Sequence, residues 1–171
     1  KRCLHKILTE TENFIERCEH GDKNTTTCVG LNFPNNMSPE YRKELVLPTQ
    51  KWAKWMISLH SQDRAKDIPK YVAAVIGVLR IGDVGIIGMP CEPFMGIGRQ
   101  IKQGSELPLI IPCGYLNDDA LAYVPDSANN DDFDYQSSFY RYTTSLLPYR
   151  NPAGDLLARA GRRKLKEITR S

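Results

Sequence analysis

Histidine is scarce in this chain. There are three in 171 residues, and His5, His20 and His60 each lack a second histidine or a cysteine at helical ligand spacing, so no zinc centre is built on one helix. The five cysteines are an odd number and never occur as Cys-x-x-Cys, which indicates neither a disulfide framework nor a zinc knuckle. No Gly-x-x-x-x-Gly-Lys loop is present to cradle a phosphate, and no Gly-x-Ser-x-Gly elbow to present a nucleophile. Apolar runs stay far below the roughly 20 residues that span a bilayer, so no transmembrane segment is expected. The net charge of +3 is too mild to mark a nucleic-acid partner, which needs a concentrated basic face. Internal repeats and low-complexity tracts are also missing. The chain opens on Lys1 without a signal-like apolar segment, and its start is expected to reflect processing, proteolysis or cloning.

What the chain does have is concentrated between Val72 and Tyr123. Two β-rich apolar runs, Val72–Leu79 and Val84–Met89, flank Arg80-Ile81-Gly82-Asp83. Glycine accepts the positive φ of tight primed turns, so the spacing predicts a β-hairpin. The second run ends at Pro90-Cys91-Glu92-Pro93, beyond which Phe94, Ile97, Gly98 and Ile101 fall at helical spacing. Glu92 and Pro93 are expected in the first helical turn. Leu107–Cys113 reads as a third strand, followed by a polar loop from Gly114 to Tyr123. That loop and Glu92 are expected at one end of the sheet, where sites in strand–helix units lie. The predicted fold class is α/β, with α+β as the alternative: a layered sheet built on a β-hairpin, with a strand–helix–strand unit and flanking amphipathic helices.

The length fits one domain or a domain fragment, and 41% hydrophobic residues suffice for a core. Residues 1–71 read as a helical lead-in. Leu4, Ile7, Leu8, Thr11, Ile15 and Cys18 form the stripe of a helix over residues 2–19, and residues 20–39 form an excursion loop. A short helix is expected from Glu40 to before Pro48, then a second from Thr49 as N-cap, with Trp52, Trp55, Met56 and Leu59 as its core stripe. Residues 124–152 read as a long loop. The last helix, about Ala153–Thr169, turns Leu157, Leu165 and Ile168 inward and presents Arg159, Arg162, Arg163, Lys164, Lys166 and Arg170 as a solvated basic face. Two sequons, Asn24-Thr25-Thr26 and Asn36-Met37-Ser38, would permit glycosylation in a secreted eukaryotic protein.

Few residues suggest chemistry on their own. Glu92 reads as a metal ligand, a general base or a carboxylate stabilised at a helix N-terminus. Cys91 beside it could carry a depressed pKa, but Cys91 and Cys113 both end apolar runs and read as small buried hydrophobes. Asp118-Asp119 lacks the repeated oxygen ligands and glycine of a calcium loop.

The order Leu79-Arg80-Ile81-Gly82-Asp83, then Gly88-Met89-Pro90-Cys91-Glu92-Pro93-Phe94 and Ile97-Gly98, resembles the neutral/alkaline, non-lysosomal ceramidase family. In that family a hairpin of this kind leads into a helix. The likeness continues through Gly114–Asn117, Tyr123-Val124-Pro125, Asp134-Tyr135-Gln136 and Pro152-Ala153-Gly154-Asp155, covering roughly residues 72–168. It implies a zinc amidase that cleaves the N-acyl bond of a lipid amide, its zinc held by two histidines, a glutamate and a tyrosine. The glutamate falls on Glu92 and the tyrosine on Tyr123, with Cys91 and Asn117 as residues lining the site. The two histidines belong to upstream motifs that residues 1–71 do not carry. The resemblance therefore implies the upstream half of the same catalytic domain as a partner, no activity without it, and an extracellular, exoplasmic or periplasmic location. Two departures stand out. The family's glycine before the glutamate is Cys91 here, and its Asn-x-Tyr-x-x-Tyr motif becomes Asn117-Asp118-Asp119-Ala120-Leu121-Ala122-Tyr123, without the first tyrosine and one residue longer. The alternative expectation is a stand-alone, non-catalytic binding module on the same scaffold.

Overall fold

The structure, a computed structural model, describes residues 2–68, 71–116, 121–130, 134–142, 149 and 153–170. The fold is α/β, with four α-helices and three small sheets among the described residues. It divides into two compact units, residues 1–71 with 133–147 and residues 72–132 with 148–171.

The first unit is built on α1 (Arg2–Glu19) and α2 (Pro39–Ser61). Leu4, Ile7, Thr11, Phe14, Ile15 and Cys18 recur at helical spacing, so α1 buries one face, and it packs against α2, whose Val46, Trp52, Ala53, Met56 and Leu59 are buried. The aromatic stripe is core: Trp52 meets Tyr140 of a 3₁₀ turn (Phe139–Tyr142) edge-on at 5.1 Å. The two helices expected around Pro48 are one. Ser38 is the N-cap, accepting the Tyr41 N–H, while Thr49 lies buried inside the helix. An interior proline costs about 3 kcal/mol. Buried side chains on both sides of it, Val46 before and Thr49, Trp52, Ala53 and Met56 after, offset that cost, and the carbonyl it orphans belongs to exposed Glu44. The loop over 20–39 holds a hairpin of two-residue strands, β1 (Thr27–Cys28) and β2 (Leu31–Asn32), turning through Val29 and Gly30 at φ 46° and 85°. Glu10 accepts the Val29 N–H at 2.7 Å, and the buried Arg42 guanidinium donates to the carbonyls of Lys23, Thr25, Pro34 and Asn35.

The second unit carries a sheet in the order β3-β4-β6, from β3 (Gly77–Ile81), β4 (Val84–Gly88) and β6 (Leu109–Cys113). β3 and β4 form the expected hairpin, with Ile81 opposite Val84 and Gly82 at φ 57° in the two-residue turn. Only Gly77 onward is strand. Opposite Ile76 the chain has reached Met89, which gives its N–H to the Cys113 carbonyl, and next comes Pro90, which has no N–H to give. β4 and β6 are parallel and joined through α3 (Met95–Gln103), the strand–helix–strand unit. α3 and α4 (Ala153–Thr169) pack together, and both also meet the sheet, α3 at β6 and α4 at β3 and β4. A side chain at Gly161 would run into Ile87 at 2.4 Å, so helix and sheet approach closely there. Arg159, Arg163, Lys164 and Lys166 of α4 face solvent, whereas Arg162 is half-buried over Gly104; exposed pairs such as Lys164–Glu167 (2.8 Å) contribute little stability. Among the described residues no helix is long and apolar enough to cross a membrane.

Candidate functional site

Glu92 and Pro93 were expected in a helical turn, but they are extended. They form β5 (Glu92–Pro93), which pairs in parallel with β7 (Tyr123–Val124), and α3 starts only at Met95, behind Phe94 as N-cap. In register, Glu92 stands opposite Tyr123 and Pro93 opposite Val124. The Glu92 N–H donates to the Ala122 carbonyl at 2.8 Å and the Phe94 N–H to that of Val124 at 3.1 Å. Paired strands lie about 4.8 Å apart and successive side chains alternate faces. Val124 is buried in the hydrophobic core, so Glu92 and Tyr123, both half-buried, share the opposite face. The ladder follows the carboxyl ends of parallel β4 and β6, the usual position for ligands in open α/β sheets.

Why the chain turns back there is visible in its neighbours. Tyr115 donates its N–H to the Cys91 carbonyl, Leu116 to that of Met89 and Leu121 to that of Pro90. Tyr115 and Ala122 hold φ of 54° and 49°, a left-handed conformation that is costly for non-glycine residues and tends to cluster at functional sites. The strand that carries Tyr123 is tied on both sides. The Tyr149 hydroxyl donates to the Leu121 carbonyl at 2.6 Å. On the far side Asp126 is buried, and its carboxylate accepts the Ala128 N–H and the Asn129 amide. A side chain at Gly96 would collide with that carboxylate, and one at Gly154 with the Pro125 carbonyl. Asp155 accepts from the Gln100 side chain and from the Ser127 N–H, and these bonds, Gln100 first, hold its carboxyl below the usual range. Gly154 and Asp155, in the first turn of α4, thus position Tyr123 by clamping the segment that follows it.

Comparison with protein-family models, curated proteins and solved structures found no match.

The remaining candidates are distributed as follows. Cys91 is buried in the hydrophobic core, and burial, with the neighbouring Glu92 charge adding to it, pushes its thiol up to about 12. Its side chain therefore belongs to the core, and the depressed pKa a thiol nucleophile needs is not there. Cys113 is half-buried, with its sulfur 3.7 Å from the Ile111 carbonyl. Asn117, Asp118 and Asp119 lie outside the described residues. His5, His20 and His60 are exposed residues of the first unit. Among the described residues no three His, Cys, Asp or Glu side chains gather to hold a metal. Sequence reasoning missed Asp126, Gly96 and Tyr149. Asp-Ser-Ala-Asn is a recognisable side-chain turn, but the approach of Gly96 to Asp126 and the bond from Tyr149 to Leu121 join distant segments and leave no local signal.

Proposed function

We propose that the second unit is the carboxy-terminal part of a ceramidase-like zinc amidase, acting on an N-acyl lipid amide together with an upstream part of the same catalytic domain. The observation that carries this reading is the register of Glu92 against Tyr123. The two residues on which the family's glutamate and tyrosine ligands fall are 31 positions apart in the chain, yet they are cross-strand neighbours on one face. A carboxylate and a phenol oxygen fit two positions of a zinc shell and leave the rest for the imidazoles that the resemblance puts upstream. Bound zinc would polarise the amide carbonyl and lower the pKa of water. Glu92 would supply negative charge and Tyr123 a directed oxygen, both fixed by backbone pairing. Cys91 has no part in the chemistry. Tyr123 stands opposite Glu92 in the ladder although the motif before it is altered. The test is zinc content and lipid-amide hydrolysis of the protein purified from its source, with Glu92→Gln, Tyr123→Phe and Cys91→Ser. Loss of zinc and hydrolysis with the first two, and their retention with the third, support the reading; a metal-free, inactive native protein would leave the binding module in its place.

A further inference from the structure

The chain leaves the first unit and enters the second through Tyr71-Val72-Ala73-Ala74-Val75-Ile76. These uncharged residues follow one another without helix or strand, and the ladder to β4 begins only at Gly77. Among the described residues no strand pairs with them, and residues 71–75 join neither hydrophobic core. All of 71–75 are exposed, Tyr71 by 90% and Val75 by 69%. Exposed stretches of small residues are where nicking concentrates, and a protease that takes its substrate as an added strand has no ladder to break here first. The neighbouring alanines of loops are tied down by comparison. The Ala122 carbonyl accepts the Glu92 N–H, and the Ala128 N–H donates to the Asp126 carboxylate.

We propose that this segment is a processing site, cut between Ala74 and Val75 by an endoprotease with a small apolar specificity pocket, and that the cut chain stays together as one folded particle. Ala74 suits a pocket of the elastase kind, whereas no lysine or arginine lies within 71–76 for a trypsin-like pocket. Hydrolysis adds water across the peptide bond. The hydroxyl goes to the Ala74 carbonyl carbon and a proton to the Val75 nitrogen, leaving a carboxylate and an ammonium, with nothing oxidised or reduced. The first fragment then carries α1 and α2, but the first unit also needs residues 133–147, which remain on the second fragment. Within that stretch Tyr140 is buried in the α1–α2 core and meets Trp52 edge-on, and Arg141 beside it is buried as well. Each core thus keeps all of its residues after the cut. The proposal does not rest on the zinc-amidase reading, since Glu92 and Tyr123 stay paired on the second fragment.

The experiment treats the intact native protein briefly with elastase, trypsin or chymotrypsin in parallel. New amino termini are read by peptide mass spectrometry, and the products are sized by native mass spectrometry and again by chromatography in urea. Elastase is expected to open Ala74–Val75 roughly tenfold faster than any other bond, because no local unfolding has to precede the cut. The two fragments should travel as one particle in native buffer and separate in urea. Replacing Ala73→Asp and Ala74→Asp together, at exposed positions, should slow the cut by roughly tenfold while leaving the circular dichroism unchanged. A first cut outside 71–76, or cutting no faster than global unfolding, overturns the site. Faster cutting by trypsin, faster cutting by chymotrypsin after Tyr71, or a rate untouched by the double substitution overturns the assigned pocket. Fragments that part in native buffer overturn the single particle.

Discussion

Replacing Gly154 with alanine isolates the contact that seats the strand bearing Tyr123. Helix propensity alone predicts a gain of about 1 kcal/mol, since alanine outranks glycine in helices. Packing predicts the reverse. A methyl on Gly154 would sit 2.2 Å from the Pro125 carbonyl oxygen, 2.8 Å from its carbon and 3.0 Å from the Asp126 Cα, all backbone atoms that no rotamer change can remove. Overpacking of this kind costs about 2–3 kcal/mol. For a unit of this size, each kcal/mol lowers the melting temperature by roughly 4–8 °C, so a fall on the order of 10–20 °C is expected. Gly98→Ala is the matched control. It lies inside α3, and its added methyl would meet only Pro112 at an ordinary 3.5 Å, so the propensity gain survives and the transition rises by a few degrees. Circular dichroism at 222 nm during thermal and urea unfolding measures both. If Gly154→Ala proved neutral or stabilising, the close approach of α4 to the Pro125 carbonyl would be wrong, and with it the account of how Tyr123 is placed.

The buried thiols predict an alkaline limit. Cys91 and Cys28 are both pushed from 9.0 up to about 12, chiefly by burial, so above pH 9 the unfolded chain loses protons that the folded chain keeps. Stability then falls as pH rises from about 9 to about 12. Urea midpoints between pH 8 and 11 should fall less steeply for Cys91→Ala than for the parent, and equal slopes would refute the cause. In the first unit, Arg42→Met removes the donor of four carbonyls at once, and breaking a buried charged network of this sort costs about 3–5 kcal/mol. Arg42→Lys keeps the charge but loses the planar fork and should recover little. A loss below about 1 kcal/mol by chemical denaturation would show that the loop is held some other way.

The parts of the fold that declare themselves in the sequence are those whose cause is local. Gly82 between two apolar runs sets the hairpin, and the period of Leu157 and Leu165 marks α4 over the residues it occupies. Where the prediction erred, a distant partner had decided the outcome. Val72–Ile76 has strand composition but pairs with no strand among the described residues, because Met89 has turned to β6. Pro48 reads as a stop, yet burial on both flanks carries the helix through it. The hairpin over 27–32 turns through Val29-Gly30, and Val29 ordinarily avoids positive φ, so only Gly30 carried half of a primed-turn signature. Glu92 looked like a helix-cap carboxylate by spacing. Its place opposite Tyr123 depends on a ladder of two residues, which no periodicity reports; family likeness singled out the two residues but not their register.

Zinc stoichiometry tests the central claim most directly. It is read by elemental analysis and native mass spectrometry on the protein purified from its source, beside the Glu92→Gln and Tyr123→Phe forms. The account predicts one zinc per chain in the parent, loss or marked weakening in both variants, and full occupancy in Cys91→Ser. Zinc bound as tightly in Glu92→Gln as in the parent, or none in any form, would contradict it.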